Sequence, residues 1–221
     1  MKLLINALVK FIVGLALVSL LIFLPAGTVF YSGGLIFCAV MFIPIFILGV
    51  VLFIKSPKLL EKRLDAGEKD VSQKGIVALS ALGFIAGFVV AGLDYRFSLS
   101  NVPTPVVVAA SALFLLSYAL YAEVMRENEY LSRTVKVEEG QRVIDTGLYG
   151  IVRHPMYAVT VLMFMMIPLI LGSVYSFIIF LHYPVIIVCR IINEEKLLTR
   201  ELQGYEEYKK KVKYRLIPFV W

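Results

Sequence analysis

Cysteine, histidine and charge are all scarce in this sequence, and each shortage removes a class of function. The 221 residues include two cysteines, Cys38 and Cys189, and two histidines, His154 and His182. The cysteines lie in or beside apolar stretches without CxxC spacing. They read as packing residues and give neither a disulfide framework nor a metal cage. A pair of distant histidines supplies no His-rich metal centre, so no metal site is expected. Charged residues make up only 17% of the chain against 60% hydrophobic, and the mean hydropathy is +0.85. Soluble domains sit near half apolar and a quarter charged. No water-soluble fold buries this much apolar surface, so the bilayer must act as solvent for much of it. The net charge of +6 would suggest nucleic acid in a soluble chain. Here positively charged inner loops and anionic headgroups account for it, and no nucleic-acid partner is expected. The sequence also lacks a G-x-G-x-x-G after a strand, which argues against a dinucleotide-binding α/β fold. No A-x-A cleavage site follows Leu24, so the first apolar run is expected to stay as a helix. There is no internal repeat, low-complexity tract or separate soluble domain.

What the sequence does have is apolar runs, over 11–24, 35–54, 76–93, 106–122, 157–171 and 174–188. Most approach the ~20 residues that span a bilayer. The last two are short and separated only by Gly172-Ser173, which predicts a tight helical hairpin. Pro44, Pro168 and Pro184 predict kinks, tolerable where neighbouring helices satisfy the freed carbonyls. With the N-terminus placed in the cytoplasm, every one of the 22 Lys and Arg residues except Arg96 falls on the inner side. That asymmetry predicts an even number of crossings with both termini cytoplasmic. The inner loop 55–74 mixes charge signs around Asp65-Ala66-Gly67 and predicts a solvated helix and turn. The segment after 122 is expected to continue the fourth helix through Arg126, Glu127, Asn128 and Glu129. Thr134-Val135-Lys136-Val137 then alternates like a short strand, with a Glu139-Gly140 turn and a return through Val143-Ile144. The expected class is an all-α polytopic membrane protein with about six transmembrane helices. Residues 1–122 would carry four of them, and 123–221 would form a cytoplasm-facing region comprising a helical hairpin and an amphipathic tail.

Unusual residues concentrate in Thr146-Gly147-Leu148-Tyr149-Gly150-Ile151-Val152-Arg153-His154-Pro155-Met156-Tyr157. Pro155 fits the first position of a helix, where its missing N–H costs nothing. Arg153 and His154 then sit at a helix N-terminus on the membrane face, where a guanidinium fork and free N–H groups favour a carboxylate or phosphate. Tyr149 and Tyr157 are candidates to wall the same pocket. The plainer alternative makes Arg153 an interfacial anchor, His154 a cap and the tyrosines an aromatic belt. A second cluster, Arg190-Ile191-Ile192-Asn193-Glu194-Glu195, closes the last apolar run. On a helix Arg190 and Glu194 share a face, with Glu195 rotated by about 100°. Its plain reading is a surface ion pair worth about 0.2–0.5 kcal/mol. Against that, ionisable residues at a bilayer boundary are functional candidates by default. Beyond 197 a helix is expected to end at Gly204. A second would carry Tyr205, Tyr208 and Val212 on one face and Lys209, Lys210, Lys211 and Lys213 on the other, the pattern of an amphipathic helix on anionic headgroups.

At these residues the sequence resembles the isoprenylcysteine carboxyl methyltransferase and phospholipid N-methyltransferase superfamily. The matching elements are the Gly-Leu-Tyr turn into Arg153-His154-Pro155-x-Tyr157, then Arg190-x-x-x-Glu194-Glu195, then Gly204-Tyr205-x-x-Tyr208-x-x-x-Val212 before Ile217-Pro218. Together they cover 123–221. The resemblance implies a membrane-embedded methyltransferase using S-adenosylmethionine on a lipophilic or lipidated acceptor. It implies a cofactor pocket of Tyr149, Arg153, His154, Pro155 and Tyr157, with Arg153 and His154 toward the cofactor's carboxylate. Glu194 and Glu195 match an acidic pair of cofactor and active-site function, and Arg190 an arginine that meets an anionic acceptor. The tail would fold back to close the pocket, with Tyr205 and Tyr208 as walls. The catalytic pair is thus Arg190 and Glu194. One departure is Ala158-Val159, where many relatives have glycine.

Two other classes compete. Lys213-Tyr214-Arg215-Leu216-Ile217-Pro218 is similar to the tails of membrane sterol reductases, which would imply NADPH. A transporter or scaffold would need polar groups near the midplane, and the apolar runs offer only His182 with scattered Ser, Thr and Tyr, and Asp94 at a helix end. The methyl acceptor stays open between a prenylated carboxylate, another hydrophobic acid and a lipid amine. The orientation is testable by impermeant maleimide labelling. Asn101→Cys is expected to react from outside in intact cells and Lys213→Cys only after permeabilisation. The reverse pattern would invert the topology.

Overall fold

The computed structural model describes residues 2–65, 71–131, 137 and 139–221. Its elements in chain order are α1 (Lys2–Ala26), α2 (Ser32–Lys55), α3 (Pro57–Leu64), α4 (Val71–Phe97) and α5 (Thr104–Glu127). A single 3-10 turn follows at Gly147–Gly150, then α6 (Pro155–Ile170), α7 (Val174–Phe180), α8 (His182–Glu201) and α9 (Tyr205–Lys211). Helices α1, α2, α4, α5 and the α7–α8 pair are each long and apolar enough to cross a membrane. Helix α6 is a shorter apolar helix of 16 residues, about 24 Å at 1.5 Å per residue. The chain is a multi-pass membrane protein. Helix α1 starts well before the apolar run because Lys10 need not leave the helix to escape the bilayer. Its Nζ reaches along the surface to the Leu64 carbonyl of α3 at 2.6 Å.

Three local expectations change. Helix α5 runs past the apolar segment but stops at Glu127, not Glu129. Asn128 caps it, its N–H bonded to Val124 O and its side-chain oxygen accepting from Tyr130 N at 3.0 Å. The second arm of the hairpin breaks after Phe180, because Pro184 has no N–H for the Phe180 carbonyl. His182 Nδ1–H instead donates to Ile179 O at 2.6 Å. Pro44 and Pro168 interrupt neither α2 nor α6. Of the expected strand, Thr134, Val135 and Lys136 lie outside the described residues. The return at Val143-Ile144 is irregular, and no strand occurs among the described residues.

The two ends of the bundle differ. At the end that carries Arg96 the helices close tightly over Ile22, Phe37, Phe88, Phe114, Ile167 and Phe180. A Cβ on Gly92 would lie 2.5 Å from the Ile22 carbonyl, and one on Gly33 would lie 2.9 Å from the Ile170 carbonyl. Without side chains at those places the backbones of α1 and α4, and of α2 and α6, come together, as small residues allow in lipid. Buried Asp94 accepts from Ser100 N at 2.7 Å and from the Ser100 and Ser173 hydroxyls at 2.5 Å each. It therefore pins the α4–α5 loop to the α6–α7 turn. Tyr31 donates to the Leu171 carbonyl beside it. At the opposite, basic end the helices spread, and α3 packs Leu60 inward beneath them. Helix α9 corrects an expectation. Its apolar face of Tyr205, Tyr208 and Val212 packs on Leu198, Leu202, Val137 and Val143 of the protein itself, not on lipid.

Gly92→Ala is expected to lower stability by about 1–3 kcal/mol through overpacking, read as a fall in the melting midpoint in detergent. An unchanged midpoint would mean that α1 and α4 are not held this closely.

Candidate functional site

The site forms at the basic end, where the start of α6, the last turns of α8, α9 and the C-terminal tail converge. Its first wall depends on a glycine. Gly147 has φ +51°, and a Cβ there would lie 1.5 Å from the Glu127 carboxylate. Only glycine lets that carboxylate accept from Leu148 N at 3.0 Å. This contact fixes the 3-10 turn that buries Tyr149. The Tyr149 hydroxyl accepts from Asn128 Nδ2 at 2.9 Å, and its carbonyl accepts from the Tyr208 hydroxyl at 2.7 Å. Glu127 and Asn128 were legible only as helix continuation, and nothing in their spacing signals this second role.

Helix α6 opens with Pro155 as its first residue and His154 before it. His154 does not cap the helix with its side chain. Its Nε2 lies 3.3 Å from Glu195 Oε1, and its ring stacks on Tyr157 with centroids 5.7 Å apart. The two N–H groups that precede this helix are taken by the tail. Arg153 N donates to Tyr214 O and His154 N to Arg215 O, both at 2.9 Å. Arg153 is buried and not a surface anchor. Its Nη1 donates to Val212 O at 3.2 Å and Lys209 O at 3.5 Å, and its Nε lies 2.8 Å from Glu195 Oε1 in an ion pair not aligned as a hydrogen bond. Arg215 Nε donates to the other Glu195 oxygen at 2.8 Å, with its guanidinium 5.1 Å from the Trp221 ring centroid. One buried carboxylate thus gathers two arginines and a histidine and clamps the tail over the pocket.

The second acidic residue faces the other way. The Tyr157 hydroxyl donates to Glu194 Oε2 at 2.5 Å and accepts from Arg190 Nε at 2.8 Å. Arg190 and Glu194 are therefore joined through Tyr157. Tyr149, Arg153, His154, Pro155, Tyr157, Arg190, Glu194, Tyr205 and Tyr208 all line one pocket, and Glu195 lies behind it. The Tyr205 hydroxyl is buried without a hydrogen-bond partner among the described residues. Such a group costs about 1–3 kcal/mol until something pairs with it. Burial pushes the Tyr149, Tyr205 and Tyr208 hydroxyls well above the ordinary phenol range, with nearby carboxylates adding to the shift. All three are neutral donors near neutral pH.

Beside this pocket the spread helices enclose an apolar cleft of about 1130 Å³, lined by α1, α2, α3, α4, α5, α6 and α8. Met156, Tyr157 and Arg190 line both spaces. The lining cations are Lys10, Arg63 and Arg190, with no Asp or Glu among the described lining residues.

A polar pocket and an apolar cleft thus share a wall in a multi-pass helical membrane protein. Residues 105–204 match the family model of Phospholipid methyltransferase. That stretch is a little under half of the sequence, and the family it matches is part of the integral membrane methyltransferase superfamily that includes the isoprenylcysteine carboxyl methyltransferases. The chain is also similar to a Delta(14)-sterol reductase from Mus musculus, 29% identical over 91 residues, 40% of this chain and 22% of that protein. It spans about a fifth of that relative's length. The family match ends at Gly204, so α9 and the tail join the site by geometry.

Glu195→Ala leaves Arg153, its side chain 8% exposed, without its counter-charge. Removing one partner of a buried pair costs about 3–5 kcal/mol. The variant is expected to melt early and to release residues 212–221 to protease. A tail that stays protected would contradict the clamp.

Proposed function

We propose that this chain transfers a methyl group from S-adenosylmethionine to the carboxylate of a lipophilic acceptor, at the cytoplasmic membrane face. The observation that carries the reading is the wall of Tyr157 and Arg190 shared by the polar pocket and the apolar cleft. The residues present suit this cofactor. Tyr149, Arg153, His154, Pro155, Tyr157, Tyr205 and Tyr208 would hold it, backed by Glu195. Phenol faces and the Glu194 carboxylate complement a cation, and the unpaired Tyr205 hydroxyl offers a polar contact. When bound, S-adenosylmethionine supplies a methyl group already activated on a sulfonium.

The protein's own work is then orientation and exclusion of water. Arg190, fixed by its hydrogen bond to Tyr157, would meet and align the acceptor carboxylate. A carboxylate is already nucleophilic and needs no base. An amine must first lose a proton, and Glu194 would be the group to take it. The cations Lys10, Arg63 and Arg190 along the cleft disfavour an ammonium and favour an anion. This supports carboxyl over amine methylation. The Lys and Arg asymmetry supports cytoplasmic termini, and the pocket lies at that basic end, so a water-soluble cofactor would enter from the cytoplasm. The similarity to a sterol reductase favours a second reading, NADPH-dependent reduction of a lipid double bond.

The test is transfer of radiolabelled methyl from S-adenosylmethionine, offered S-alkyl N-acetylcysteines and a phospholipid amine side by side. The expected product is a base-labile ester, reduced about 10²–10³-fold in Arg190→Ala. A base-stable label on the amine would overturn the carboxylate assignment. No transfer, with NADPH oxidised on a sterol, would overturn the whole reading.

A further inference from the structure

The glycines of the bundle are of two kinds. Near Arg96, a Cβ added to Gly33, Gly34, Gly87 or Gly92 would meet another atom at 3.0 Å or less. Two glycines of α1 and α2 differ. A Cβ on Gly14 of α1 or Gly49 of α2 would meet nothing within 4 Å, and both residues line the apolar cleft. Glycine in an exposed helix interior costs about 0.5–1 kcal/mol against alanine. At Gly14 and Gly49 no close helix contact offsets that cost. What their absent side chains leave is room inside the cleft.

We infer that Gly14 and Gly49 set the length and bulk of the acceptor's hydrocarbon chain, a deepening that rests on the methyltransferase reading above. The occupant is the apolar part of an anionic amphiphile, for two reasons. The cleft shares the wall of Met156, Tyr157 and Arg190 with the polar pocket, so a head group held at Arg190 on the cleft side leaves its chain in the cleft. The described lining carries Lys10, Arg63 and Arg190 and no carboxylate, which favours an anionic over a cationic head even with Arg190 joined to Glu194 through Tyr157. From Arg190 the cleft extends away from α8 to α1 and α2, where its lining runs from Leu4 to Val18 on α1. That is about 21 Å of helix at 1.5 Å per residue, a length along which a long chain would pass both Gly14 and Gly49 and a short one would not. The N-terminal helices, which lie largely outside the family match, then choose the acceptor while the C-terminal region handles the methyl group.

The experiment uses the full chain with S-alkyl N-acetylcysteines whose alkyl chains run from eight to twenty carbons. Gly14→Leu and Gly49→Leu are made separately, one on each wall, with Gly75→Leu as control. Gly75 also faces open space but does not line the cleft. In both cleft variants kcat/KM for the longest acceptors is expected to fall at least tenfold, with the shortest acceptor and S-adenosylmethionine affinity unchanged. Gly75→Leu is expected to match wild type throughout. A photoreactive sixteen-carbon carboxylate is expected to label α1 and α2 peptides of wild type and to lose that labelling in the variants. A fall that is equal at every chain length, or no fall at all, overturns the inference, and melting midpoints identify a variant that has simply lost its fold. Labelling of α1 and α2 without any methyl transfer would sink the methyltransferase reading and leave the cleft as an amphiphile site. Methyl transfer without labelling or length dependence would sink the gauge and leave the enzyme.

Discussion

The Glu195 carboxylate is the interaction on which the rest of the site depends. It is buried against Arg153, His154 and Arg215, which come from the start of α6 and from the tail. Buried charges survive only with partners and hydrogen bonds, so this one carboxylate fixes three segments at once. The tail is held twice, by Arg215 and by the backbone pairing of Arg153 and His154 with Tyr214 and Arg215. The same hub sets the direction of Arg153, whose remaining donors close the C-terminus of α9. With α9 in place, Tyr205 and Tyr208 become walls, and the Tyr205 hydroxyl is left without a partner among the described residues.

Around that hub the bilayer imposes a division of labour. Close packing at the Arg96 end makes a rigid base, stapled by Asp94 to two loops. At the basic end the helices spread into an apolar cleft, and the charges sit on its rim and on the pocket beside it. Tyr157 stands where the two spaces meet, bonded to Glu194 and Arg190. A polar ligand and a lipid-phase ligand would approach that hydroxyl from opposite sides without either leaving its preferred solvent.

Much of this was legible in the residues. Apolar runs and the Lys and Arg asymmetry give the helices, because length and charge are local properties of the sequence. Pro155 marks the start of α6, and Tyr149, Arg153, His154, Tyr157, Arg190, Glu194, Tyr205 and Tyr208 line one pocket. What stayed hidden depends on contacts between distant segments. Glu127 and Asn128 look like ordinary helix residues until the Gly147 turn docks on them. Helix α9 carries a lysine-rich face that suits headgroups, but its tyrosine face is claimed by Leu198, Leu202 and Val143. The N–H groups of Arg153 and His154 looked open to an anion, and the tail carbonyls occupy them. No periodicity in the sequence records a partner sixty residues away.

Calorimetric titration of the detergent-purified protein with S-adenosylmethionine, run beside NADPH, tests the central claim most directly. The account predicts saturable binding of S-adenosylmethionine in the micromolar range, weakened in Tyr205→Phe by loss of its buried hydroxyl, and no heat from NADPH. Binding of NADPH by protein that ignores S-adenosylmethionine would contradict it.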